Sequence, residues 1–91
     1  MSKDPFLSLL EKLRAEKQWP QVYMFKFISP ADNQTIAKVQ ELFDASQAQI
    51  SMRESRNGNY VAISVKELML TPENVIERCR LASEIPGVMV L

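Results

Sequence analysis

Apolar and polar residues alternate on both sides of Asn57-Gly58, and this pattern predicts a β-hairpin. Asn-Gly favours a two-residue type I′ turn, in which both central residues adopt positive φ. The alternation puts the apolar side chains of the hairpin on one face, which carries Ile50, Met52, Val61, Ile63 and Val65. The opposite face carries Gln49, Ser51, Arg53, Tyr60, Ser64 and Lys66. Because a shift of one residue would exchange the two faces, turn and alternation specify one register, which pairs Ser55 with Tyr60.

Three further segments have the spacing of amphipathic helices. The first helix begins at Asp4-Pro5, runs to about Lys17 and carries the apolar stripe Phe6, Leu9, Leu10 and Leu13. The second covers about residues 33–44, with the stripe Ile36, Val39, Leu42 and Phe43. The third begins at Thr71-Pro72-Glu73, ends before Pro86-Gly87 and carries Val75, Ile76, Cys79 and Ala82.

Aromatic and β-branched residues over 21–29 predict a strand that is apolar on both faces, and therefore central and covered on both sides. The hairpin strands cover about residues 47–55 and 59–68, and residues 88–91 form a short last strand. After the first helix the order is thus βαββαβ. This order predicts an α+β, ferredoxin-like sandwich, with a four-stranded antiparallel sheet in the order 4-1-3-2 and two helices on one face.

Composition limits the chemistry of this chain. Its 91 residues allow one domain, and 11 basic and 11 acidic side chains cancel, so no long-range field attracts a polyanion. There is no histidine and only one cysteine, Cys79, which we expect to be a core residue. We therefore expect no catalytic activity, no metal site and no cofactor. No signal peptide or membrane-spanning run is seen, so we expect a cytoplasmic protein without a membrane partner.

Two strings resemble the YbeD-like family of small bacterial domains of unknown function. They are Ser55-Arg56-Asn57-Gly58-Asn59-Tyr60 and Ile85-Pro86-Gly87-Val88-Met89-Val90-Leu91, and the family's first-strand elements have counterparts in Pro20, Tyr23 and Lys26. The resemblance covers residues 19–91 and leaves residues 1–18 as a helical extension of the single domain 1–91. It implies a ferredoxin-like fold similar to the amino-acid-binding ACT regulatory domains. Family members often have glycine where this chain has Ser29, and the loop 29–33 contains no glycine to let a ligand approach the backbone.

One group of side chains suggests a binding surface. The predicted pairing puts Lys26, Arg53 and Lys66 on the open face of the sheet, with Tyr60 at its end. One interpretation is that these cations are solvated or pair with Glu11 and Glu16 of the first helix. The other is that they contact an acidic partner or a small anion.

A second group suggests an association surface, because an exposed apolar stripe would be unfavourable in a monomer. The candidate residues are Phe6, Leu9, Leu10 and Leu13 of the first helix, with Val88 and Val90 of the last strand, which is an uncharged edge. The stripe either packs on the chain's own sheet, near Val22, Met24 and Ile28, or meets another chain, which leaves a homodimer open.

From these features we expect a non-catalytic regulatory or protein-interaction module whose protein partner is unknown. The first alternative is a sensor of amino-acid-like small molecules that resembles ACT domains. The second and weaker alternative is RNA binding through the open sheet face, which has only Tyr60 to stack a base on its third strand. We therefore expect no nucleic-acid partner.

Overall fold

Within residues 4–16 and 18–91, which are those that the computed structural model describes, the chain forms three helices and four strands. Their bounds are α1 Leu7–Ala15, β1 Gln21–Pro30, α2 Asn33–Gln40, β2 Gln49–Glu54, β3 Tyr60–Met69, α3 Pro72–Ser83 and β4 Met89–Val90. The predicted end of the first helix, Lys17, lies outside the described residues.

The four strands form one antiparallel sheet in the order β2-β3-β1-β4, which is 4-1-3-2 when read from the other edge. The α+β class and the four-stranded antiparallel sheet are therefore confirmed. The long strands β1 and β3 pair along their whole length at the centre. The short strand β4 pairs with only two residues of β1, Phe27 and Ile28.

The hairpin has the predicted register but not the predicted turn. Ser55 N–H donates to the carbonyl of Tyr60, as the alternation requires. Of the two turn residues, Gly58 has a positive φ, of 75°, but Asn57 does not, so the type I′ prediction was wrong. Instead Gly58 N–H donates to the Ser55 carbonyl, and the Ser55 hydroxyl accepts a hydrogen bond from the Tyr60 N–H. The Ser55 side chain stabilises a longer loop that keeps the same register.

The core lies between one face of the sheet, here called the inner face, and the helices. Inner-face residues Phe25, Phe27, Ile63 and Val65 are buried together with the predicted stripe of α3. Val39 of α2 and Phe43, which follows that helix, join them, and the Phe43 ring lies 5.0 Å from that of Phe25. Alternation on β1 and β3 and helical spacing on α3 therefore predict this core. The prediction that the alternation of β2 also contributes was wrong for Met52, which is 52% exposed on this edge strand.

Side-chain caps fix the start of two helices. The Asp32 carboxylate accepts a hydrogen bond from the N–H of Gln34 at α2, and the Thr71 hydroxyl accepts one from the N–H of Asn74 at α3, as predicted. Asp4 caps no helix, because α1 begins two residues after Pro5. The Asp4 carboxylate instead accepts from the N–H of Phe6 in the turn before the helix.

Helix α1 packs against α3, and not on the far side of the sheet. Leu13 is 5% exposed in the core, and Arg14 forms an ion pair with Glu73 of α3. Asp4, just before the helix, pairs with Arg80 of α3. The prediction that the stripe covers the sheet near Val22 was therefore wrong. A stripe of leucines requires burial, but the choice of surface depends on α3, which offers both apolar contact and opposite charges.

Candidate functional site

The candidate site is the face of the sheet away from the helices, here called the open face. Strand register places Ser51, Ser64 and Lys26 in one row across β2, β3 and β1. The next row toward one end contains Lys66, and the next row toward the other contains Arg53, because side chains two apart on a strand point to the same face. The register thus brings the three predicted cations together.

Two adjoining hollows lie over these rows. The first, of about 390 Å³, is lined by Lys26, Arg53, Ser51 and Ser64 among others. The second, of about 360 Å³, shares Lys26 and both serines and adds Lys66. The fourth predicted residue, Tyr60, lies in a neighbouring hollow of about 470 Å³ together with Arg53. The four candidate contact residues therefore line adjoining hollows of the open face, and the hollow beside Tyr60 is also lined by Glu54.

The charge on this face is one-sided. The strand positions that point to the open face carry no Asp or Glu, and neither of the first two hollows has an acidic side chain in its lining. The ion pairs among residues 4–16 and 18–91 use Arg14, Arg78 and Arg80, and none uses a cation of the open face. The suggested pairing with Glu11 and Glu16 is not seen; Glu16 accepts a hydrogen bond from Gln21.

The end of the open face beside Lys66 is apolar. Val22 is 62% exposed, Met24 45% and Leu68 48%, and register places Val22 directly beside Leu68. The prediction that β1 is covered on both sides was therefore wrong, because α1 lies on the helical layer. An apolar patch beside a cationic hollow is left in contact with water.

The six candidate association residues face the chain's own core. Leu13 and Val88 are buried, and the other four are half-buried and pack against the core; they are Phe6, Leu9, Leu10 and Val90. Leu7, which is outside the predicted stripe, is the exposed leucine of α1. A contact of this surface with a second chain stays a prediction.

Cys79 is a core residue, as expected. Its side chain is almost fully buried, and burial raises the pKa of the thiol to about 11. No group of three Cys, Asp or Glu side chains among the described residues is placed to hold a metal ion.

One polar network on the inner face was not predicted from the sequence. Glu67 of β3 is 7% exposed and accepts a hydrogen bond of 3.1 Å from the N–H of Asp44. Arg78 of α3 approaches Glu67 at 3.6 Å and donates to the carbonyl of Leu42. The signal in the sequence was Glu67 itself, because an acidic side chain at an inward-pointing strand position requires polar partners from other elements. The network joins α3 and β3 to the loop after α2.

The loop 29–33 is where a ligand of an ACT-like sensor would bind, and two of its backbone N–H groups already donate hydrogen bonds within the chain. Ala31 N–H donates to the carbonyl of Asn59, and Asp32 N–H donates to that of Pro30. Ser29 is fully buried, and its hydroxyl donates to the carbonyl of Pro30.

No helix within residues 4–16 and 18–91 has the length and apolar character needed to cross a membrane.

Comparison with curated proteins gave no match, and comparison with solved structures gave none either. One protein-family model matches residues 14–91, and its description is "Protein of unknown function (DUF493)". The matched range includes the whole sheet, both core helices and the end of α1. The chain therefore belongs to the DUF493 family.

Proposed function

We propose that this protein is a non-catalytic interaction module that binds an acidic segment of a protein partner on its open face. The observation that carries the proposal is the placement of Lys26, Arg53 and Lys66 around two adjoining hollows whose linings contain no acidic side chain. A neutral protein that concentrates cations on one face is complementary to a local cluster of carboxylates.

The apolar end of the open face adds a second requirement on the partner. Val22, Met24 and Leu68 are exposed beside Lys66, and contiguous exposed apolar surface is typical of interaction sites. The partner segment should therefore carry apolar side chains next to its acidic ones. Burial of the apolar end would supply affinity, and the charges would supply orientation and association rate.

We also propose three finer assignments. The antiparallel sheet with its order and helices supports a ferredoxin-like fold. The overlap between the family match over residues 14–91 and the YbeD-like resemblance over 19–91 supports one family under both names. The third assignment is a cytoplasmic regulatory role; the lone buried thiol supports the location, and the ACT-like resemblance supports the role.

The experiment compares two double variants that remove the same charge. Lys26→Gln with Lys66→Gln neutralises the open face, whereas Lys12→Gln with Lys38→Gln neutralises exposed lysines on helices. We expect partners captured from a lysate by the intact protein to be lost with the first variant and kept with the second. Retention of the same partner by both variants would contradict the proposal.

Two alternatives stay predictions and have their own tests. A sensor of amino-acid-like molecules should melt at a higher temperature with its ligand, as mass action requires. An RNA-binding protein should lose affinity steeply as salt increases.

A further inference from the structure

We propose that the hollow lined by Lys26, Ser51, Arg53 and Ser64 is a binding site for a phosphoryl group. This inference rests on the proposed function, since it names the chemical group that the same face recognises. The group would be carried by a phosphorylated side chain of the partner or by a small phosphate ester.

Hydrogen-bond donors from three neighbouring strands converge on this hollow. Ser51 lies directly opposite Ser64, and Ser64 lies directly opposite Lys26, on three neighbouring strands. Neighbouring strands are about 4.8 Å apart, so the Ser51 hydroxyl, the Ser64 hydroxyl and the Lys26 side chain lie side by side in one row. Arg53 is two residues from Ser51 on the same face, about 6.6 Å along the strand. All four side chains line the hollow of about 390 Å³.

These donors make no hydrogen bond or ion pair to another described side chain. Ser51 and Ser64 make no side-chain hydrogen bond to a described residue, whereas the hydroxyls of Ser29, Ser55 and Ser83 each bond within the chain. Lys26 and Arg53 form no ion pair with residues 4–16 or 18–91. A ligand would therefore meet donors that no described side chain occupies.

The charge and the donors of the hollow match the charge and the oxygen atoms of a phosphoryl group. A phosphate monoester carries about −1.5 to −2 charges near neutral pH and three strong acceptor oxygens. The hollow offers two positive charges, two hydroxyl donors and the planar fork of an arginine. A single carboxylate has one charge and two oxygens, so it would leave part of this donor set without a partner. A glutamate is therefore a poorer match than a phosphoserine.

The experiment measures binding to the full chain by backbone amide chemical shifts at constant ionic strength. The probes are inorganic phosphate, phenyl phosphate, a short peptide with one phosphoserine, and the same peptide with glutamate at that position. The test variants are Ser51→Ala with Ser64→Ala, and Lys26→Gln. The matched controls are Ser8→Ala, which removes an exposed hydroxyl of α1, and Lys38→Gln. Thermal melts establish that each variant is folded.

We expect saturable shifts at Ser51, Ser64 and Lys26 with the phosphoryl probes. The phosphoserine peptide should bind about tenfold more tightly than the glutamate peptide, and both test variants should lose about that factor. Phenyl phosphate binding as well as the phosphopeptide would indicate a small ester, and a clear preference for the peptide would indicate a protein ligand. The two controls should bind like the unchanged protein.

Equal affinity for the phosphoserine and glutamate peptides, or unchanged affinity in the serine double variant, would overturn the inference. If Lys26→Gln with Lys66→Gln still abolishes partner capture, the proposed function survives that result. If phosphoryl binding depends on Ser51 and Ser64 while capture ignores the lysines, the site stands and the proposed acidic partner is wrong.

Discussion

Arg78 and Glu67 form a partly buried ion pair, 3.6 Å apart, between α3 and the inner face of the sheet. The carboxylate also accepts the N–H of Asp44, and the guanidinium also donates to the Leu42 carbonyl and lies 5.4 Å from the Phe43 ring centre. Each charge thus has a second partner, which is the condition under which a buried pair is tolerated.

Removal of Arg78 should therefore destabilise the fold markedly. We expect Arg78→Met to lower the free energy of unfolding by about 2 kcal/mol, because it leaves the Glu67 carboxylate buried without its cation. Urea denaturation measures the change. Arg14→Met removes an ion pair with more than half of both side chains exposed and should cost much less. Equal costs would show that burial of the pair does not matter.

Leu13 should anchor α1 to the rest of the molecule. Its side chain is 5% exposed, so we expect Leu13→Ala to cost about 2–4 kcal/mol of unfolding free energy. Leu7→Ala, at a 52% exposed position of the same helix, is the matched control and should change stability by less than about 0.5 kcal/mol. A small effect at Leu13 would contradict the attachment of α1 to the core.

The ion pairs that hold α1 should make its attachment sensitive to acid. The pKa of Asp4 is lowered because its carboxylate accepts the N–H of Phe6 and pairs with Arg80, and the hydrogen bond from Arg14 lowers the pKa of Glu73. A carboxyl with a lowered folded pKa stabilises the fold above its unfolded pKa, about 4 for Asp and Glu. That contribution is lost as the pH falls through the folded value.

We therefore expect α1 to loosen below about pH 4. Trp19 is the sole tryptophan, and its indole N–H donates to the Leu13 carbonyl at 3.0 Å, so its emission reports on the helix. Asp4→Asn with Glu73→Gln should flatten the change in emission between pH 5 and 3. The pKa of Asp44 is also lowered, by the hydrogen bond from the Ser46 side chain. Asp44 is present in both proteins, so its contribution to the acid transition is the same in each. Identical acid transitions in the two proteins would refute the assignment.

The open face could be predicted from sequence because strand geometry has a period of two. Lys26, Arg53 and Lys66 fall on the same face once the hairpin register is known, and the alternation of apolar residues determines that register. The hydroxyl row follows from the same rule. The hollows could not be predicted, because the sequence did not determine whether α1 packs on this face or, as observed, against α3.

The position of α1 and the role of Glu67 depend on residues that are distant in sequence. The stripe of α1 requires an apolar partner surface. The partner α3 is identified by Glu73, which lies 59 residues after Arg14, and by Arg80, which lies 76 residues after Asp4. Glu67 is an acidic residue at a position of β3 where the alternation requires an apolar one, and its burial is explained only by the ion pair with Arg78 of α3. The turn at Gly58 differs from the predicted type I′ turn because the Ser55 hydroxyl, which accepts the N–H of Tyr60, stabilises a longer loop.

Gly87 should tolerate no side chain. Its φ is 85°, and a Cβ there would lie 2.8 Å from Cγ of Pro30. We expect Gly87→Ala to cost about 2–3 kcal/mol in urea denaturation, from left-handed backbone strain together with the clash. Gly58→Ala has a similar φ of 75°, but its nearest contact is the flexible end of Glu54 at 3.3 Å. It should therefore cost about 1 kcal/mol. Equal losses would mean that the contact with Pro30 contributes nothing.

The Cys79 thiol should be unreactive in the folded protein. Burial raises its pKa to about 11, so about one thiol in a thousand is ionised at pH 8, and the side chain is also shielded from reagents. We expect a thiol-reactive dye to label it only when the protein unfolds, at a rate that increases with urea. Ser8→Cys adds an exposed thiol on α1 as an internal control. One fast and one slow thiol would confirm the core position of Cys79, and two equally fast thiols would disprove it.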